Sequence, residues 1–143
     1  MDHKNKPLLI VITGPTATGK TALAARVAHH LNGEVISADS RQVYRGMDLA
    51  TGKDFSDYVV DGTKIPYHLV DIVDPGYEYN VFEFQRDFIR VFSEIVGRGK
   101  VPVLCGGTGM YIESVLKGYR LLDVPKNNDL RTELKKLDDQ ALI

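Results

Sequence analysis

Eight consecutive residues, Gly14-Pro15-Thr16-Ala17-Thr18-Gly19-Lys20-Thr21, read G-x-x-x-x-G-K-T and follow the apolar run Leu8 to Thr13. Each residue type in this pattern has a use in holding an anion. The glycines let backbone N–H groups turn toward one point, a helix beginning at Lys20 aims the positive end of its dipole there, and the Lys20 ammonium adds a movable charge. The Thr21 hydroxyl suits a magnesium ion. The pattern therefore reads as a diphosphate or nucleotide cradle, and it says nothing about what carries the phosphates.

A carboxylate is the second candidate for chemistry. Asp39 follows the short apolar stretch Glu34 to Ser37, and in open α/β sheets ligands gather beyond the carboxyl ends of the strands. Placed there, Asp39 reads as a general base, a cap or a magnesium ligand, with Asp71 as the second carboxylate to consider. Cys105 reads as a small buried strand residue rather than a nucleophile. His68 has no second His or Cys at metal spacing and reads as a structural strand histidine, and His29-His30 as a solvated helix end.

These groups need elements to position them. Leu8–Thr13 is predicted as a strand buried on both faces. Lys20–Leu31 is predicted as a helix, with Leu23, Val27 and Leu31 at four-residue spacing and Asn32-Gly33 as its stop signal. Glu34–Ser37 is a second strand, which makes the first forty residues a β-α-β unit of the kind that builds parallel sheets. Residues 40–66 are read as an irregular stretch holding a turn of helix, broken by Gly46, Gly52 and Gly62. Tyr67–Val73 is a third strand closed by Asp74-Pro75-Gly76. Asn80 and Glu83 form a capping box for a helix reaching Arg98, with Phe84, Phe88, Val91, Phe92 and Ile95 on its apolar face. Val101–Cys105 is the fourth strand, Gly106-Gly107-Thr108-Gly109 a glycine turn, and Met110–Leu116 another helix. Asp129–Leu137 reads as a short amphipathic helix with Leu130, Leu134 and Leu137 on one side. The expected fold is α/β, a P-loop NTPase-like parallel sheet flanked by helices in three layers, α/β/α.

The chain of 143 residues, 43% hydrophobic and 26% charged, has the mix of one globular domain and not of a disordered or collagen-like chain. A net charge of −1 argues against a broad electrostatic footprint for nucleic acid and leaves only local binding. Arg41, Arg45, Lys53 and Arg120 are candidates for a local basic strip, whereas Arg86, Arg90, Arg98 and Lys100 read as solvating a helix and its end. No stretch of 18 apolar residues occurs, so no membrane span is expected, and a single cysteine is compatible with a reducing compartment. A cytoplasmic monomer is the expectation.

Beyond the cradle, Asp39-Ser40-Arg41-Gln42-Val43-Tyr44-Arg45-Gly46-Met47-Asp48 resembles the D-S-R-Q-V-Y-x-G-M-D stretch of tRNA dimethylallyltransferases, which prenylate the adenosine beside the anticodon. The resemblance continues through Leu49–Lys53, His68–Ile72, Asp74-Pro75 and Pro102–Ile112, with Gly52, Cys105 and Met110 as mild departures. It implies transfer of a dimethylallyl group from dimethylallyl diphosphate to adenosine N6, with magnesium as cofactor and the anticodon arm of tRNA as partner. By the same resemblance Asp39 is the base, Thr16 contacts the prenyl diphosphate, and Asp39, Ser40, Arg41, Gln42, Thr108 and Arg131 meet the tRNA. Residues 1–118 then form the amino-terminal part of the P-loop catalytic core, and residues 119–143 the truncated start of a helical RNA-binding insertion. The family's members are longer, so this chain is expected to be a fragment or to have the remainder supplied elsewhere. The rival readings are a prenyltransferase of free adenine nucleotides, a P-loop small-molecule kinase, which would hold a transferring γ-phosphate in the same cradle, and an inactive diphosphate-binding fragment.

Overall fold

Alternate residues along the strands serve two different cores, which is why the strands read as unbroken apolar runs. The computed structural model describes residues 6–15, 19–46, 55–118 and 128–136. In chain order they form β1 (Ile10–Thr13), α1 (Lys20–Leu31), β2 (Gly33–Ser37), a 3-10 turn (Phe55–Tyr58), β3 (Val59–Val60), β4 (Thr63–Lys64), β5 (Tyr67–His68), α2 (Val81–Gly97), β6 (Val101–Gly106), α3 (Gly109–Leu116) and α4 (Asn128–Leu134). Four strands make one sheet in the order β1-β6-β2-β5, and every pairing in it is parallel.

Val35, Val103 and Cys105 face α1 and pack with its Ala24, Ala25 and Ala28. Their neighbours Ile36 and Leu104 point the other way, into a core built by Phe84, Phe88, Val91 and Ile95 of α2 and Tyr111 and Ile112 of α3. Helices thus cover both faces, and the expected three-layer α/β/α arrangement is the one found.

The buried face of α1 is not the one its leucines mark. Leu23 is 52% and Leu31 40% exposed, while Ala24, Ala25 and Ala28 are fully buried. Small side chains let the helix backbone lie close to the sheet, which holds the loop before it near the strand ends. Asn32, with φ 55°, ends the helix in the left-handed region, and Gly33 serves another purpose. A Cβ there would stand 2.3 Å from the Val101 carbonyl oxygen, so only glycine lets β2 meet β6 at that point.

Helix α2 carries the expected capping box. The Asn80 side chain accepts from the Glu83 N–H at 2.9 Å, and Glu83 Oε2 accepts from the Asn80 N–H at 3.2 Å. Its apolar face is the predicted one, with Phe92 only partly buried.

Three expectations need correction. The strand predicted over Tyr67–Val73 stops at His68, because Leu69 and Asp71 take φ of 63° and 55° and turn the chain out of the sheet. Residues 71–73 instead bond back to residues 42–45: Asp71 N–H to the Gln42 carbonyl at 2.9 Å, Ile72 N–H to Val43 at 2.8 Å, and Arg45 N–H to Val73 at 2.9 Å. The stretch read as irregular contains, besides its turn of helix at Phe55–Tyr58, a hairpin in which Val59 pairs with Lys64 and Val60 with Thr63. Asp61 and Gly62, with φ of 49° and 77°, make the two-residue turn such a hairpin favours. Arg98, read as solvating a helix end, forms a two-pronged ion pair with the buried Glu34, through Nε at 3.0 Å and Nη2 at 3.0 Å. His68 Nε2 stands 3.0 Å from the same carboxylate, which bears out its structural reading. Lys100, also read as solvating, donates to the Asn32 side chain.

Candidate functional site

A strand, a glycine loop and a helix set the first half of the site. Gly19, at φ 78°, is the residue from which α1 starts, and the Lys20 ammonium turns back across the loop to donate to the Pro15 carbonyl. Gly14 and Pro15 precede it; Thr16, Ala17 and Thr18 lie outside the described residues.

The end of β6 supplies the floor. Cys105 is buried there, with the Thr21 hydroxyl in hydrogen-bonding reach of its sulfur and Lys20 and Asp39 close enough to act on it electrostatically. Burial pushes the thiol up to about 11 against the opposing pull of Lys20 and Thr21, so it stays protonated near neutral pH and is a poor nucleophile. The reading of Cys105 as a strand residue agrees with this.

The second half of the site is the turn after β2. One oxygen of Asp39, Oδ1, accepts from the Arg41 N–H at 2.9 Å and lies 3.8 Å from Arg41 Nε. Among the described residues no contact is seen through Oδ2. The Ser40 N–H donates to Thr108 Oγ1 at 3.0 Å, and the Ser37 hydroxyl donates to Gln42 Oε1 at 3.2 Å. The bonds from residues 71–73 back to residues 42–45 then brace the whole turn from behind, which places Asp71 beside Gln42 and one loop removed from Asp39.

Gly106 and Gly107 are what let the two halves approach. A Cβ on Gly106 would fall 2.3 Å from the Ala38 carbonyl oxygen, and one on Gly107 would meet the Gly14 carbonyl oxygen at 3.3 Å and Lys20 Nζ at 3.9 Å. The glycine turn after β6 is therefore wedged between the cradle and the Asp39 turn.

The candidate residues Gly14, Pro15, Gly19, Lys20, Thr21, Asp39, Ser40, Arg41, Gln42 and Thr108 thus sit along the carboxyl edge of β1, β2 and β6. Arg131 falls in α4, with its side chain outside the described part. The basic strip is not assembled among the described residues: Arg41 pairs with Asp39, Arg45 pairs with Asp74 at 3.0 Å, and Lys53 and Arg120 lie outside them.

A group of tyrosines beside this edge carried no signal in the sequence. Tyr111 stacks on Phe84 with ring centroids 4.3 Å apart and meets Tyr79 edge-on at 6.4 Å. The Tyr44 hydroxyl accepts from the Tyr79 N–H at 3.4 Å, and the Tyr79 hydroxyl donates to Asp87 at 2.7 Å. Burial, with Tyr44, Glu83 and Asp39 adding to it, pushes the Tyr111 hydroxyl up to about 12. The Tyr79 and Tyr111 hydroxyls therefore stay protonated near neutral pH. The residues come from three stretches of the chain, at 44, 79–87 and 111, and only the fold brings them together.

Among the described residues no group of three His, Cys, Asp or Glu side chains is arranged to hold a metal ion, and no helix is long and apolar enough to cross a membrane.

Comparison with protein families matches residues 42–142 to the description "IPP transferase" and residues 7–76 to "Isopentenyl transferase". The chain is 68% identical over 126 residues to a protein of Phocaeicola vulgatus named tRNA dimethylallyltransferase 2, covering 88% of this chain and 41% of that one. It is 65% identical over 127 residues to tRNA dimethylallyltransferase 1 of Parabacteroides distasonis, covering 89% and 41%. The solved tRNA isopentenylpyrophosphate transferase of Bacillus halodurans superposes with a TM-score of 0.76 at 43% identity over 92% of this chain and 42% of that one. A eukaryotic dimethylallyltransferase crystallised acting on tRNA superposes with a TM-score of 0.71 at 30% identity, over 96% and 31%. The chain spans about two-fifths of the length of the curated relatives it matches. The matched families, the identities and the shared P-loop α/β fold agree: the chain belongs to the IPP transferase family.

Proposed function

We propose that this chain is the P-loop part of an enzyme that transfers a dimethylallyl group from dimethylallyl diphosphate to N6 of the adenosine beside the anticodon of a tRNA, releasing diphosphate. The observation that carries the reading is the glycine turn after β6, where Gly106 abuts the Ala38 carbonyl and Gly107 abuts Gly14 and Lys20, so that the cradle and the Asp39 turn meet. A cradle alone would serve a kinase equally well. A cradle facing a carboxylate with one oxygen uncommitted among the described residues suits a reaction with a proton to remove and a diphosphate to release. The names of the relatives support the same choice of substrates.

In this reading the adenine N6 lone pair forms the new bond to C1 of the allyl group while the C1–O bond to diphosphate breaks. The amine loses a proton, which Asp39 accepts. Adenine N6 is a weak nucleophile because its lone pair is delocalised into the ring, so the base must stand within reach as the bond forms. Charge growing on the departing diphosphate is met by Lys20, by the loop N–H groups and by the start of α1. Ser40, Arg41 and Gln42 would face the flipped base, which leaves its stack to reach a deep site.

The Thr21 hydroxyl, an oxygen donor in the first turn of α1, fits magnesium. Magnesium keeps several waters and is held largely by the phosphates of its substrate. When bound it would neutralise the leaving diphosphate. We place the protein in the cytoplasm as a monomer.

The test is single-turnover transfer of labelled dimethylallyl from its diphosphate to an anticodon stem-loop, with magnesium present. Transfer is expected for the wild-type chain. Lys20→Ala is expected to weaken both diphosphate affinity and rate by about 100-fold, the scale of one lost transition-state donor. Transfer to AMP but not to the stem-loop would favour a nucleotide prenyltransferase, transfer of label from γ-labelled ATP to an acceptor would favour a kinase, and binding without any transfer would leave only a diphosphate-binding fragment.

A further inference from the structure

Thr108 stands where a helix usually recruits a threonine for capping. It precedes α3 with extended φ and ψ of −83° and 96°, yet its side chain makes no capping bond. Giving up an N-cap costs about 1 kcal/mol, so the use made of the hydroxyl instead is informative. Thr108 Oγ1 accepts from the Ser40 N–H at 3.0 Å and donates to Ser40 Oγ at 3.4 Å. Its own backbone N–H donates to the Ala38 carbonyl at 3.2 Å.

The two peptide groups that flank Asp39 therefore both end on one residue. Because each peptide group is planar, fixing both planes fixes φ and ψ of the residue between them, and with these the direction in which the side chain leaves the backbone. The same turn is anchored once more where the Ala38 N–H donates to the Cys105 carbonyl at 2.7 Å. On its other side it meets the cradle through Gly107, whose Cβ position lies 3.9 Å from Lys20 Nζ. One short run after β6 thus touches the carboxylate's backbone and the lysine of the phosphate loop.

We infer that Thr108 is a positioning residue for the Asp39 carboxylate and acts on it through Ser40 and Ala38. The inference rests on the reading of Asp39 as the base that takes the N6 proton. The hydroxyl holds the turn, and the turn holds the base at a set distance from the diphosphate.

The test compares Thr108→Val, which keeps the shape and deletes the hydroxyl, with Thr108→Ser, which keeps the hydroxyl; Thr108→Ala serves as the deletion if valine does not fold. In the isotope-labelled chain, hydrogen exchange at the Ser40 amide is expected to quicken at least about tenfold in the deletion and to return to near wild type in the serine variant. In single turnover the deletion is expected to lose about 100-fold in rate, the scale of a misplaced catalytic group, with affinity for dimethylallyl diphosphate and stem-loop held within about threefold. Unchanged protection at Ser40, or lost protection with an unchanged rate, overturns the inference. So does a loss confined to stem-loop affinity, which would make Thr108 an RNA contact alone. If the wild-type chain transfers nothing, the proposed reaction fails separately, and the Ser40 exchange still decides whether Thr108 holds this turn.

Discussion

Two carboxylates five residues apart mark the two ends of β2, and they are used in opposite ways. Glu34, near its start, has its side chain 6% exposed and is met by Arg98 from the end of α2 and by His68 from β5. Asp39, just past its end, has its side chain 19% exposed and is held through one oxygen by its own turn. At the first end the charge is neutralised by a planar two-pronged partner, a geometry that fastens elements together. At the second the backbone is held tightly and the carboxylate lightly. A group that must accept a proton needs a fixed position and an uncommitted oxygen, and among the described residues only the second end provides both.

The largest expected effect separates these roles. Asp39→Asn should lower single-turnover transfer by about 100-fold to 10,000-fold, the range for loss of a general base, with the melting temperature and diphosphate affinity nearly unchanged. Activity close to wild type in that variant would end the assignment of the base. Glu34→Gln should do the reverse. It leaves Arg98 without its charged partner and should cost about 2–3 kcal/mol of stability, less than the ~3–5 kcal/mol of a fully buried pair because Arg98 can return to water. Thermal or urea unfolding measures this. The rate per folded molecule should stay the same, and its loss would show that the two ends are coupled.

The smallest effect concerns Cys105, which lies between the two ends on β6. Its thiol is raised from an ordinary value of 9.0 to about 11 by burial. The folded state therefore keeps a proton that the unfolded chain releases at lower pH, so this group's contribution to stability is full below pH ~9 and declines as pH rises toward ~11. Cys105→Ala should flatten that decline in a series of unfolding curves while leaving transfer within about twofold, in keeping with its role as a small buried side chain. Rapid alkylation of the native thiol at neutral pH would contradict its burial.

What could be read before the structure was what lies close together in the chain. The cradle is eight consecutive residues between a strand and a helix, and the capping box of α2 spans Asn80 to Glu83, so local pattern was enough for both. Asp39 could be placed because it directly follows a strand. Glu34 and Arg98 are 64 positions apart, and Ser40 and Thr108 are 68 apart; neither member of either pair carries any mark of the other. The early end of β5 depends on left-handed conformations at Leu69 and Asp71, residue types that do not announce them. On α1 the leucine spacing signalled a helix correctly but marked the wrong face, since the tight fit to the sheet is made by alanines. Gly62 was read only as a break, because the strands beside the Asp61-Gly62 turn have two residues each, too few for alternation to register.

The order of the strands has a consequence for timing. Val103 of β6 pairs with Ile10 on one side and with Val35 on the other, so the strand that joins the cradle to the Asp39 turn is the last of the sheet to be made. Pairing over such long separations must close long loops before any contact compensates for the lost entropy, and it is slow for that reason. On a ribosome adding ~5–20 residues per second, Asp39 is followed by several seconds of synthesis before Thr108 exists to hold its turn. For that interval the phosphate loop and the base are both present in the nascent chain, with nothing yet to fix the distance between them.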